Sequence, residues 1–175
     1  MEKERTTNLG ERIQKYLLAD QEGRRDLCSV YKDRTLMKEV IAYLAEPYRG
    51  KADYVAAPES VGFILGSMMA EALDVGFIAI RNGSVSVLHE ADAIRASYID
   101  HRDRVRSLQI RNDSAFADCR ILLVDDWVET AATIQACMTL VEEMPASTIG
   151  IAAIGVSANP ATDQMVESGF IRHIL

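Results

Sequence analysis

The stretch Arg120-Ile121-Leu122-Leu123-Val124-Asp125-Asp126-Trp127-Val128-Glu129-Thr130-Ala131-Ala132-Thr133 constrains this chain more than any other. Its first half is a short apolar run rich in branched residues, which predicts a strand buried on both faces. Two adjacent acids end the run. A hydroxyl, two small residues and a second hydroxyl follow, and helical periodicity begins at once at Ile134, Cys137, Met138 and Val141. Strand, acidic tip, small-residue loop and helix start form the layout of a phosphate site. Backbone N–H groups of such a loop can approach an anion, and the helix N-terminus adds partial positive charge. The anion does not explain the two acids. They suit ribose hydroxyls, which donate hydrogen bonds to carboxylates, or a magnesium ion. A strand followed by a helix that Asp126 or Thr130 caps is the plainer reading of the same residues.

The elements before and after this stretch define the fold class. Leu9, Ile13, Tyr16 and Leu17 predict an amphipathic helix over residues 8–20 with Asn8 as N-cap, and residues 21–33 read as polar and irregular. Leu36, Met37, Val40, Ile41 and Leu44 form a helical stripe that Pro47 and Gly50 end. Residues 53–57 read as a short strand, followed by a turn at Pro58-Glu59-Ser60-Val61-Gly62-Phe63 into a helix, and 75–81 as the next strand. Residues 84–88 suit a β-ribbon and 107–110 a further strand. A strand at 147–156, a short helix at 161–168 and a closing strand at 170–175 finish the chain. Strands and helices alternate, so the expectation is an α/β, doubly wound, mostly parallel sheet of about five strands with the site at their carboxyl ends.

Composition excludes several classes. The formal net charge of −7 gives no basic face for nucleic acid. No apolar run approaches a membrane span, and Met1-Glu2-Lys3-Glu4-Arg5 lacks a signal peptide's apolar region. Cys28, Cys119 and Cys137 are an odd set without metal-type spacing, which fits a reducing cytosol. A cytoplasmic location follows as an expectation, with neither nucleic acid nor membrane as a partner.

The stretch from Val124 to Thr133 resembles the phosphoribosyl diphosphate (PRPP) signature of the type I phosphoribosyltransferases, with Ala131 where glycine is usual. That departure is mild at negative φ and serious at positive φ. The run from Pro58 to Phe63 resembles the diphosphate turn of the family's adenine-type members, and Val30-Tyr31-Lys32-Asp33 resembles their apolar-aromatic-basic-acidic run. The resemblance implies a single domain, with residues 1–33 as an N-terminal helix and hood and 34–175 as the core. It also implies Mg2+ as cofactor, PRPP and a nitrogenous base (or a nucleoside monophosphate) as ligands, and a homodimer.

Site roles follow from the same resemblance. Asp125 and Asp126 would hold the ribose hydroxyls or, indirectly, the metal. Thr130, Ala131, Ala132 and Thr133 would hold the 5-phosphate. Glu59, Ser60, Val61, Gly62 and Arg81 would hold the diphosphate, with a cis peptide between Glu59 and Ser60. Ser97 and Tyr98 would belong to the flexible loop that closes over PRPP. Tyr31 stacks on the base in one reading and is a hood core residue in the other. The family's arginine is Val61 here, and its Arg-Lys pair is Arg81-Asn82. The lost cation is supplied by Arg102, Arg104 or Arg106 in one reading, and that cluster is a solvated segment in the other.

Glu129 stands where adenine-type members carry alanine and oxopurine-type members an aspartate. A carboxylate there can accept the proton of the attacking base; alternatively it faces solvent or pairs with an arginine. Trp127 reads as a core or interface residue. Two functions compete: transfer of ribose 5-phosphate from magnesium-PRPP to a purine-like base with release of diphosphate, and non-catalytic sensing of PRPP or a nucleotide.

Overall fold

The computed structural model describes residues 2–19, 25–83, 92–100 and 103–175. The central sheet has seven strands in the order β5-β6-β4-β3-β7-β8-β9. Its five-strand parallel part comprises β4 (Gly76–Asn82), β3 (Tyr54–Pro58), β7 (Arg120–Val128), β8 (Ser147–Val156) and β9 (Ile171–Arg172). Two antiparallel strands, β6 (Val105–Arg111) and β5 (Ala93–Ile99), extend the β4 edge. The expected parallel core is present, widened by this antiparallel pair.

Period-two alternation along the strands feeds two cores, one on each face. Val55, Ala57, Leu122, Val124, Ala152 and Ile154 face helices α3 (Arg34–Ala45) and α4 (Gly62–Leu73). Ala56, Ile78, Ile121, Leu123, Ile151 and Ala153 face α5 (Ala132–Glu143), whose Ile134, Cys137, Leu140 and Val141 form the buried stripe read from the sequence. The central strands are apolar on both faces because helices cover both. None of the three cysteines forms a disulfide among the described residues, and burial pushes the Cys137 thiol well up from its ordinary range.

The N-terminal segment departs from expectation. Helix α1 spans Glu2–Gln14, so Asn8 lies inside it and is not its cap, and Tyr16 lies beyond its end. Strong helix formers at residues 2–5 carry the helix back past the start of the apolar stripe. Leu9 and Ile13 are buried in the same core as α3. Arg12 forks onto Glu39 at 2.6 and 3.1 Å, and the Tyr16 hydroxyl donates to Asp33 at 2.9 Å. β1 (Leu18–Ala19) replaces the end of the expected helix and pairs with β2 (Arg25–Asp26) in the stretch expected to be irregular, which also contains a short helix, α2 (Cys28–Tyr31).

Two further differences concern strand length. β7 runs through both acids to Val128, because β8 continues to pair with it as far as Val156. β9 is only two residues long, since it pairs with β8 at Ile151 and Ala152 alone. Helix α6 (Pro160–Glu167) starts at a capping box, with the Asn159 side chain accepting from Ala161 and Thr162. Among the described residues no helix is long and apolar enough to cross a membrane. The expected ribbon at 84–88 lies outside the described residues.

Candidate active site

Strand β7 delivers two carboxylates to the carboxyl end of the sheet, where a parallel α/β fold collects its ligands. Asp125 is 9% exposed, and its Oδ1 accepts the Asp126 backbone N–H at 2.9 Å. Among the described residues no cation pairs with either acid. Burial, then repulsion from Asp126, pushes the Asp125 carboxyl well above the ordinary carboxylate range. Burial raises Asp126 as well. A buried acid beside a half-buried one, with no counter-charge among the described residues, is costly to a protein standing alone. They become favourable once hydroxyl donors or a divalent cation arrive.

Two helix N-termini flank this pair, and neither has a side-chain cap. Helix α5 begins after Ala131 and helix α4 after Val61, and neither N-cap residue supplies a side-chain hydrogen bond to the first-turn N–H groups. By contrast α3 is capped by Asp33 and α6 by Asn159. The uncapped starts thus leave donors at the site for anions. Ala131 adopts φ +63°, the left-handed conformation that glycine takes without cost, and it is buried. The substitution of alanine for the glycine usual in the resembled signature is therefore the serious case, and it places strain in the loop before α5.

The turn before α4 carries the expected cis peptide between Glu59 and Ser60. The Glu59 N–H donates to Ile80 O at 2.8 Å, and the Glu59 carboxylate accepts the Asn82 N–H at 3.0 Å. Arg81 Nε stands 3.4 Å from the same carboxylate. Glu59 and Arg81 are thus brought together by the ends of β3 and β4. Gly62, the first residue of α4, is buried against Asp125. Val61 holds the position at which the family has a cation.

Glu129 and Thr130 are exposed at the loop tip. A small cavity beside them is lined also by Asp125, Ala131, Thr133 and Asp100. Asp100, just past β5, was not singled out from the sequence. It accepts from Arg106 Nε at 2.9 Å and from the Arg104 backbone N–H at 3.0 Å. Arg106 is therefore committed to an acid at the site's edge; Arg104 is exposed, and Arg102 lies outside the described residues. Ser97 and Tyr98 were expected in a loop and instead lie in β5, paired with Ser107 and Arg106. Their alternation with Ala96, which is buried, is that of a strand with one covered face.

Asn159 is the second residue the sequence did not reveal as functional. Its Nδ2 donates to Glu129 O at 2.9 Å and to Ser157 O at 3.1 Å, which ties the loop tip to the start of α6. Trp127 packs over Gly155 and donates Nε1–H to Ser157 Oγ at 2.9 Å, so it belongs to the fold of the loop and not to a base platform. The Tyr31 hydroxyl is buried without a hydrogen-bond partner among the described residues, and its ring packs on the core that holds Leu27 and Val30. Burial and then the charges of Asp126 and Asp125 push its pKa up, which places it within electrostatic reach of the acid pair.

Fold and site together define a doubly wound α/β protein with an acid pair between two uncapped helix starts. The chain belongs to the phosphoribosyltransferase family: residues 29–172 match the family described as "Phosphoribosyl transferase domain". It is 33% identical over 131 residues to an adenine phosphoribosyltransferase of Leuconostoc citreum, covering 74% of this chain and 72% of that protein. Another from Methylobacillus flagellatus is 35% identical over 124 residues, covering 69% and 66%. The crystal structure of adenine phosphoribosyltransferase from Thermoanaerobacter pseudethanolicus superposes with a TM-score of 0.82 at 26% identity, covering 94% of this chain and 98% of that one.

Proposed function

We propose that this protein transfers ribose 5-phosphate from magnesium-PRPP to a purine-like base and releases diphosphate. The observation that carries the reading is the Asp125–Asp126 pair, the first buried and the second half-buried, without a cation partner among the described residues and set between two uncapped helix N-termini. One helix start suits the 5-phosphate and the other the diphosphate, and the acids between them suit the ribose hydroxyls that link the two.

Each role maps onto a described group. N–H groups from Thr130 to Thr133 hold the 5-phosphate. Asp125 and Asp126 accept hydrogen bonds from the ribose hydroxyls and orient the ring. The turn from Glu59 to Gly62, with Arg81, receives the leaving diphosphate. The Glu129 carboxylate accepts the proton that the base sheds as its nitrogen bonds to the anomeric carbon. Two carboxylates are too few to cage a metal, and no larger acid, His or Cys cluster occurs among the described residues. If Mg2+ is bound, Asp125 and Asp126 would help to hold it, and it would supply neutralisation of the leaving-group charge.

Residues 1–33 act as a hood over the base, with Tyr31 contributing its ring to the base pocket. The relatives are named as adenine phosphoribosyltransferases, so adenine is the first base to offer. Those names also favour turnover over PRPP sensing. As in the resembled family, the active species is a homodimer. A panel of purine bases with PRPP and Mg2+, monitored for diphosphate release, tests the reading. Release with adenine or another purine is the expected result. PRPP binding without release from any base would replace the enzyme by a sensor.

A further inference from the structure

A second cavity, of about 690 Å³, lies at the opposite end of the sheet. Its walls include Tyr48, Lys51, Arg120, Ile149, Phe170 and Arg172. Lys51 precedes β3 and Arg120 is the first residue of β7. Asp125 and Asp126 come five and six residues further along that strand, about 16–20 Å away at 3.3 Å per residue. The groove is therefore separate from the site described above.

The cavity exists because β9 is short. β9 covers β8 only at Ile151 and Ala152, which leaves the Ile149 portion of β8 uncovered on that side. The Tyr48 ring packs over Gly150, where a Cβ would stand 2.8 Å from it, and the Tyr48 hydroxyl donates to Ile151 O at 3.1 Å. That anchors one wall in the core. The turn between α6 and β9 supplies Phe170 as the other.

The charges are one-sided. Lys51, Arg120 and Arg172 line the groove and, among the described residues, no carboxylate does, in a chain whose net charge is −7. Arg120 spends Nε and Nη2 on Asp53, at 3.0 and 2.7 Å, so one neighbouring acid offsets part of this charge. Arg172 lies with its guanidinium carbon 3.7 Å from the centroid of the Tyr43 ring, a stack that fixes its position. Cations held over an apolar floor focus potential into a concave site. The volume falls within the range of about 300–1,000 Å³ typical of small-molecule sites. A phosphate group suits the cations, and a flat or apolar body suits Phe170, Ile149 and Pro47.

We propose that this groove binds a phosphorylated small molecule with an apolar or aromatic body, such as a nucleoside monophosphate, independently of the PRPP site. Calorimetry with AMP, and with inorganic phosphate as the bare anion, tests this on the full chain. Wild type should show two AMP sites per chain. Lys51→Glu, at an exposed position outside the core, should weaken one of them at least tenfold and leave turnover within twofold of wild type. Asp125→Asn with Asp126→Asn should weaken the other and spare the Lys51-dependent one, so failure of the enzyme reading and failure of this one are separable. AMP should bind the Lys51-dependent site at least tenfold more tightly than inorganic phosphate. AMP binding that Lys51→Glu leaves unchanged overturns the proposal, and equal affinity for AMP and phosphate overturns the organic part of it.

Discussion

Gly62 leaves room for Asp125: a Cβ on Gly62 would stand 3.2 Å from Asp125 Oδ1 and 3.3 Å from Pro58 Cδ. The start of α4 and the acid of β7 are thus in direct contact, which joins the turn proposed for the diphosphate to the acid proposed for the ribose. Gly62→Ala should displace Asp125 by a few tenths of an ångström while costing only about 1 kcal/mol of stability. The expected outcome is a KM for PRPP raised several-fold with an almost unchanged melting temperature. An unchanged KM would show that the contact does not position the acid.

Asp125 should trade stability for binding. Its carboxyl is raised in the folded state, so on raising the pH the unfolded chain loses its proton first, from about pH 4. Stability of the ligand-free protein should therefore fall as pH rises through that window, until the folded carboxyl also ionises. Asp125→Asn removes this penalty and keeps an acceptor for the Asp126 N–H. At neutral pH its melting temperature should rise by about 2–4 °C for each kcal/mol relieved. Combined with Asp126→Asn, it should weaken PRPP binding at least tenfold, since two charge-assisted hydrogen bonds are worth on the order of 2–4 kcal/mol. Thermal scans across pH beside calorimetry with PRPP and Mg2+ check both signs.

Glu129→Gln separates chemistry from binding. PRPP affinity should persist, because the amide adds no bulk and removes a negative charge near the phosphate. Turnover should fall on the order of 10²-fold through loss of the proton acceptor. Equal turnover in the two proteins would leave Glu129 as a solvated loop carboxylate.

Ala131 offers a test of loop strain. Ala131→Gly removes a left-handed penalty of about 1–2 kcal/mol but adds chain entropy and forfeits a buried methyl, so stability should stay within about 1 kcal/mol of wild type. Ala131→Val should lose more than 2 kcal/mol and most PRPP affinity, since β-branching is least tolerated at positive φ. Urea melts with PRPP titrations distinguish the pair; a valine variant as stable as wild type would contradict the conformation.

Asn159 has two jobs that substitution can divide. Asn159→Asp keeps the side-chain oxygen that caps α6 and loses the Nδ2 bond to Glu129 O. It should remain within about 0.5 kcal/mol of wild type while turnover drops through misplacement of the loop tip. Asn159→Ala should lose about 1 kcal/mol in addition. Equal turnover in wild type and Asn159→Asp would show that the tether is dispensable.

The parallel core was legible because each central strand is a continuous apolar run ending at a turn signal, and Leu36, Met37, Val40, Ile41 and Leu44 have an unambiguous period. The acid pair was legible for a local reason: strand, carboxylates, small residues and helix start are contiguous from Val124 to Thr133. The N-terminal segment was less so. Helix propensity before Leu9 outweighed the expected cap at Asn8, and Ser97 and Tyr98 look like loop residues until β6 pairs with them.

The sequence by itself determined the chemical groups and their local order: a buried strand carrying the two acids, a loop of small and hydroxyl residues, the start of α5, and the cis turn at Glu59-Ser60 implied by resemblance. These depend on neighbours in the chain, so short-range rules carry them. Tertiary structure alone decided how far β7 runs past its acids, that Gly62 abuts Asp125, that Asn159 tethers Glu129, and that Arg106 is committed to Asp100. It also decided the burial that lifts the Asp125 carboxyl. Each is a contact between residues distant in sequence or set by a partner strand, and desolvation is a property of the assembled interior that no local pattern encodes.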